Sequence, residues 1–541
     1  MASLNEKTTP LDLRLAKHLA RRTSYATSQT LINSLVGLTP AQAMTLLFAD
    51  NAPTMDQPID PATGNPWINA VEEPMSDDFV LRHYVMVWWM HEAFNDTTIK
   101  SKIMFFLHQS FTIHAESGYP SEFFDYLAYL RHYAYRSLKD LAKKITVDNT
   151  MLSYLDGAYS WTDSPNENYG REFLELFSIG KGPQLGPGDY TWYTEYDIQQ
   201  AARVLTGWVY GERDIDIDPD TGIPMGRPRN ENWAHDNGDK VFSSKFGGAT
   251  ITGQNTTAGM MQEISDFVDM VFNQAETARN FCRKMYRYFV SGKISTEIET
   301  DIIIPLAATL MSNNYNIVPA LQQLLTSQHF YDEDDASATD EIIGAIVKSP
   351  LDNVMHTMSL LNISTPDPIA DPTNHYENFW RMSVKNVILE KADMDIFQPS
   401  NVAGYPAYYD EILAHRAWFN SSTIIARYKV PEMLLTGDSI LSWHDLGGVV
   451  FNPVTFVENN VGSPDQATDM ITELTQKLFA EMPSSERLAN FFLPQLLGNM
   501  DEMAWTDAWS DYQNTGDESM VKPALDSLFT ALLYSQEYQV M

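Results

Sequence analysis

In LDLRLAKHLARR, Leu11, Leu15 and Leu19 recur every four residues, which places them on one face of a helix. The same spacing returns along most of the chain. Thr39-Pro40 ahead of AQAMTLLFAD reads as an N-cap followed by proline at the first helical position. The stretch DDFVLRHYVMVWWMHEAF, 77–94, is apolar nearly all round and predicts a helix buried on every side. Helical periodicity continues through SKIMFFLHQSF, EFFDYLAYLRHYAYRSLKDLAKKI, NENYGREFLELFSIGKG and TEYDIQQAARVLTGW. It returns in MMQEISDFVDMVF, TARNFCRKMYRYFV, DIIIPLAATLMSN and VPALQQLLTSQHF, and over 341–361, 466–482 and 522–538. Strand signals are few. KFGGATIT (245–252) reads as a short hairpin arm, and FNPVTFV (451–457) as an edge strand with its proline at the margin. Long loops at 56–74, 181–193, 211–238, 364–376 and 395–405 interrupt the helices. Loops of that length in a helical body often carry function or cover a site. The expected fold is mainly α, a large multi-helix globular body with long loops and a few short strands. It is expected to form two lobes, 1–330 and 341–541, hinged at 331–340 where YDEDDASATDE breaks the pattern.

Composition narrows the partners. Of 541 residues, 44% are hydrophobic, ample for a sizeable core, and 71 acidic against 36 basic residues give a formal charge of −35. Such a surface repels phosphate, so no nucleic-acid partner is expected and an anionic membrane surface is disfavoured. Solubility by self-repulsion explains the charge, and cation binding is the sharper alternative. The lone Cys282 allows neither an internal disulfide nor a cysteine zinc site, and is expected to be a small buried hydrophobe. No run approaches the roughly 18 apolar residues that a membrane span needs. The N-terminus has no uninterrupted apolar core, and none follows the Arg21-Arg22 pair, so a cytoplasmic address is the default.

Candidate chemistry gathers at a few places. In NENYGREFLELFSIGKG, Glu172 and Glu175 are three apart on one face, and Glu167 and Arg171 can pair at four. Asn166 or Asn168 can cap the start, and Gly180 or Gly182 the end. Two readings stand. The charged face braces the neighbouring loops, or Glu172 and Glu175 meet an imidazole such as His108 from a second helix, as in helical-bundle metal sites holding a divalent ion. The full Glu-x-x-His signature of such sites is missing. His235-Asp236 in AHDNGDK, with Lys240 close by, supplies an acid/base or a lid, or else a plain Asx-turn. Together His108, Glu172, Glu175, His235 and Asp236 form the expected catalytic set, with Asn166, Arg171 and Lys240 as ligand-binding groups. DIDIDPDTG (214–222) offers Asp214, Asp216 and Asp218 as a weak Ca²⁺ candidate, although Pro219 and Met225 break the EF-hand register. HEAFN at His91 lacks the second histidine of a zinc protease, and no P-loop, dinucleotide fingerprint or GxSxG occurs. GYPAYYDEILAHRAWFN suits either a groove that stacks a sugar or peptide, or the core.

On SPNENYGREFLELFSIGKGPQLGPGDYTWYTEYDIQQAARVLTGW, AHDNGDKVFSSKF, ETARNFCRKMYRYFV, NNYNIVPALQQLLTSQHFYDE and NVAGYPAYYDEILAHRAWFNSSTIIAR, in that order, the chain resembles the bacterial domain of unknown function 1800 family in its Bacteroidetes-type form, almost end to end. The resemblance implies a mostly helical fold and no established activity. It also implies a partner from the phosphatase- and sulfatase-like domain of unknown function 1501 family, and work in the envelope or outside the cell. One departure bears on chemistry: where the family pattern around SKIMFFLHQSF usually has a second histidine, this chain has Ser110, which weakens a two-histidine metal site there. Two functions are therefore expected in competition: a polar ligand or metal site between helices of the first lobe with hydrolytic or oxidative chemistry, or a non-catalytic structural or assembly protein.

Overall fold

The computed structural model describes residues 2–50, 56–69, 74–231, 233–335, 341–409, 411, 414–437 and 446–541. Helices dominate, and the sheets among the described residues are four antiparallel pairs of short strands. Local sequence sets most helix starts. Asp12 caps helix Leu13–Thr23 by accepting from the Leu15 amide. Thr39 and Gln42 form a capping box at Pro40–Leu47, as the Thr-Pro pair predicts. Helix Asp78–Asn95 buries side chains around most of its circumference, including Tyr84, Trp88 and Trp89. Lys100–Ser110 lies against Pro120–Tyr133, and Ala275–Phe289 against Ile304–Ser312.

The quoted helix 166–182 is interrupted. It is α over Asn168–Glu172 and π over Phe173–Phe177, and Gly180 turns it off at φ +80°. The widened turn leaves carbonyls without helical partners. Helix Ala275–Phe289 satisfies two of them from one face: Asn280 Nδ2 donates to the Ser178 carbonyl at 2.7 Å, and Lys284 Nζ to that of Leu176 at 2.6 Å. At the other end, a Cβ on Gly170 would stand 3.1 Å from Ala201 Cβ, so glycine permits the close crossing with Glu195–Val204. A longer π-helix, Thr373–Leu389, lies further along the chain.

The apolar side chains form one connected cluster from Ala2 to Tyr538. The halves are stitched by long-range contacts. Arg21 reaches the Leu478 carbonyl at 2.8 Å, and Arg22 that of Ile342 at 2.8 Å. Packing therefore runs past the expected hinge, of which 336–340 lie outside the described residues.

Three local expectations are corrected. Segment 451–457 is no strand: Asn452 caps a helix, Pro453–Asn460, by accepting from the Val454 and Thr455 amides. Its proline is the first helical residue, where no N–H is needed. The helix expected from 341 starts at Pro350 behind a Ser349–Asp352 capping box. In 245–252 only Thr250–Ile251 is strand, paired with Lys240–Val241, while Ser244–Phe246 is a 3₁₀ turn. Cys282 is fully buried, as expected, and burial pushes its thiol pKa up.

Candidate functional site

The charged face of the π-interrupted helix is engaged with its surroundings. Arg171 donates to both oxygens of Glu195 at 2.9 and 2.8 Å, and to Glu167 at 3.1 Å. Glu175 receives Lys181 Nζ at 2.9 Å and the Tyr193 hydroxyl at 3.2 Å. Glu172 is half-buried, and burial followed by repulsion from Glu175 raises its pKa. Asn166 accepts from the Asn168 amide at 2.9 Å in a turn just ahead of the helix. The N-cap is Glu167, with no side-chain cap bond, so neither Asn166 nor Asn168 caps the helix as expected.

His108 sits elsewhere, in the aromatic core with no exposure. The Tyr126 hydroxyl donates to the Phe111 carbonyl at 2.8 Å, so at His108 Nδ1, 3.1 Å away, it acts as acceptor. Nδ1 therefore carries the proton, and Nε2 faces the core without a partner. The Phe397 ring lies 4.9 Å away. Burial drives the imidazole pKa down to about 3. Among the described residues, no hydrogen bond or ion pair joins His108 to Glu172 or Glu175.

The His-Asp loop makes a third, separate cluster. His235, Lys240 and Glu263 are all without exposure. Glu263 faces Lys240 Nζ at 2.5 Å and His235 Nε2 at 3.1 Å, and accepts from the Gln254 amide at 2.6 Å. His235 Nδ1 lies 2.9 Å from the Thr206 carbonyl oxygen. Asp236 turns the other way, to Arg203 Nε at 2.7 Å, which holds its carboxyl below the usual range against the cost of burial. The expected catalytic and ligand-binding residues thus occupy three separate settings, in which Glu172 has no hydrogen bond or ion pair among the described residues. Glu263 was missed, although it stands on the apolar stripe of Met260, Ile264 and Phe267, where an acid is out of place.

The acidic loop does not converge on a cation. Asp216 accepts from the Glu212 amide at 2.8 Å, Asp218 is buried against Lys144 at 2.6 Å, and Asp214 is exposed. Among the described residues no group of three or more His, Cys, Asp or Glu is arranged to hold a metal ion. No helix among them is long and apolar enough to cross a membrane.

What the helices do enclose is a small cavity of about 100 Å³ between Lys100–Ser110, the end of the π-turn, Ala275–Phe289 and the segment 402–409. Its walls include Gln109, Ser110, Leu176, Lys284, Tyr288 and Tyr408. Gln109 Oε1 accepts from the Tyr405 amide at 3.2 Å, while its Nε2 is buried without an acceptor. Lys284 has the Leu176 carbonyl as its hydrogen-bond partner and, among the described residues, no carboxylate. Burial, then repulsion from Arg287, brings its pKa down to about 7. The cavity lies where the His108 helix meets the polar helix, but on faces the sequence reading did not select. Lys284 was legible only as one charge in a helical stretch; its enclosure depends on the π-turn opposite.

The model of one protein family, described as a protein of unknown function (DUF1800), matches residues 18–540. No curated protein and no solved structure matches the chain. Since the match runs over nearly the whole sequence, the chain belongs to the DUF1800 family.

Proposed function

We propose that this protein binds a small carbonyl compound in the 100 Å³ cavity, with Lys284 as the reacting amine. The observation that carries this reading is an amine at the cavity wall held by one backbone carbonyl and no carboxylate. A pKa of about 7 leaves roughly half of it neutral and nucleophilic near pH 7. The volume has room for about three waters, or an organic group of two or three carbons. Gln109 Nε2 supplies a free donor for the ligand's oxygen. In the reaction the Nζ lone pair attacks the carbonyl carbon and a C–N bond forms. The carbonyl oxygen leaves as water, taking both amine hydrogens, and an imine remains. The acidic surface argues against nucleic acid as a partner. Family membership supports a partner from the domain of unknown function 1501 family.

Glyoxylate with cyanoborohydride, followed by peptide mass mapping, tests the reading. Reduction is expected to leave one carboxymethyl group on Lys284, on the order of 1,000-fold faster than on surface lysines at pH 7, given the difference in neutral fraction. Lys284→Met is expected to lose the adduct and about 1–3 kcal/mol of stability, because the Leu176 carbonyl is left without its donor. Uniform labelling of lysines would sink the imine. The competing reading, a non-catalytic structural or assembly protein, draws support from the ion pairs of Arg171 and Glu175, which spend the charged face on internal bracing.

A further inference from the structure

A second, tighter cavity lies beyond Tyr288 and Tyr408, where the first helix, Lys100–Ser110, Ala275–Phe289 and the start of Pro350–Leu360 come together. Its free volume is about 10 Å³, the space of one water-sized sphere. Arg22, Lys102, Arg287 and His415 stand in its wall, and Asp352 is the one acidic side chain there among the described residues.

The charges do not balance. Asp352 is spent on Lys102 Nζ and on the helix cap, where its Oδ2 accepts from the Ser349 hydroxyl at 2.7 Å. Arg22 is 2% exposed; its Nη2 donates to the Ile342 carbonyl at 2.8 Å, while Nε and Nη1 donate to nothing. Arg287 gives one N–H to the exposed Glu411 at 2.7 Å and has an unpartnered Nε. His415 Nδ1 is likewise without a partner. Behind this wall stand the buried guanidinium of Arg427 and the side chain of Lys348, whose Nζ lies over the Tyr538 ring and whose pKa burial pushes well down. A buried guanidinium with spare N–H groups and no counter-charge is costly.

A water molecule answers this wall poorly, because it brings hydrogens that need acceptors of their own. A monatomic anion accepts from every side and cancels charge, and chloride is only a few tenths of an ångström larger in radius than the water-sized sphere the cavity admits. We propose that the cavity binds a single chloride ion, held by Arg22 with Arg287 and Lys102 around it. In a chain of net charge −35, the ion would then offset part of the buried positive charge at a dry joint between the N-terminal helix and the second half.

The test uses the wild-type chain. Melting temperature is measured in sodium chloride, bromide, gluconate and sulfate at equal ionic strength, and crystals grown in bromide are examined for anomalous scattering. The expected result is a saturable rise with chloride and bromide, none with gluconate, and a bromide peak beside Arg22. Arg22→Met is expected to abolish the halide dependence, and Arg287→Gln, milder if the first fails to fold, to weaken halide binding at least tenfold. Equal melting in all four salts, or bromide crystals without a peak in this cavity, overturns the proposal. An equal rise with sulfate overturns its monatomic character. None of these outcomes depends on the amine chemistry at Lys284.

Discussion

Glu263→Ala will destabilise the protein by about 3–5 kcal/mol, the cost of leaving buried charge unpaired. The side chain is without exposure and gathers Lys240, His235 and the Gln254 amide. Its loss strands Lys240 Nζ in the core with the Asp236 carbonyl as its acceptor. Urea denaturation of the single variant is the measurement. The paired change Glu263→Leu with Lys240→Met should recover much of the loss, since an apolar pair of similar volume replaces a desolvated ionic one. A single variant within about 1 kcal/mol of wild type would mean that water reaches the cluster and the burial argument fails.

His108→Gln will flatten the acid limb of stability. The folded chain holds this imidazole neutral down to about pH 3, whereas the unfolded chain protonates it near pH 6.5. Between those values the unfolded state binds the extra proton. The stability that His108 allows is therefore full above pH 6.5 and is lost as pH falls through the window, by about 3–5 kcal/mol at its end. Glu92 and Asp125, whose carboxyls burial raises to about 7, work in the opposite direction. They are common to both proteins and cancel in the difference. At pH 7 the variant should be the weaker, for it disturbs the bond to Tyr126; by pH 4 the gap should close or reverse. A gap constant from pH 7 to pH 4 would show that His108 is solvated.

The candidate site divides into what neighbours in sequence reveal and what they hide. Glu167 and Arg171 pair at the four-residue spacing of a helix, as read from the chain. The stronger clamp from Arg171 to Glu195 joins residues 24 apart and needed the fold. His108 was a plausible ligand by type, yet it is a core histidine because Tyr126 and Phe397 enclose it. At 451–457 the apolar, β-branched pattern suggested a strand, but Asn452-Pro453 is also a cap followed by a first helical residue, and that signal won.

The sequence by itself determined the helical class, the order of most helices, several of their caps, the buried cysteine and the family. These follow from spacing of three to four residues, from side chains that bond amides two or three positions on, and from residues matched in order along the chain. The tertiary structure alone decided which charges are buried and with whom. Lys102 meets Asp352 across 250 positions, Lys144 meets Asp218 across 74, and Arg22 reaches the Ile342 carbonyl across 320. Whether a charge is desolvated depends on every element packed around it, and local periodicity carries no record of those neighbours.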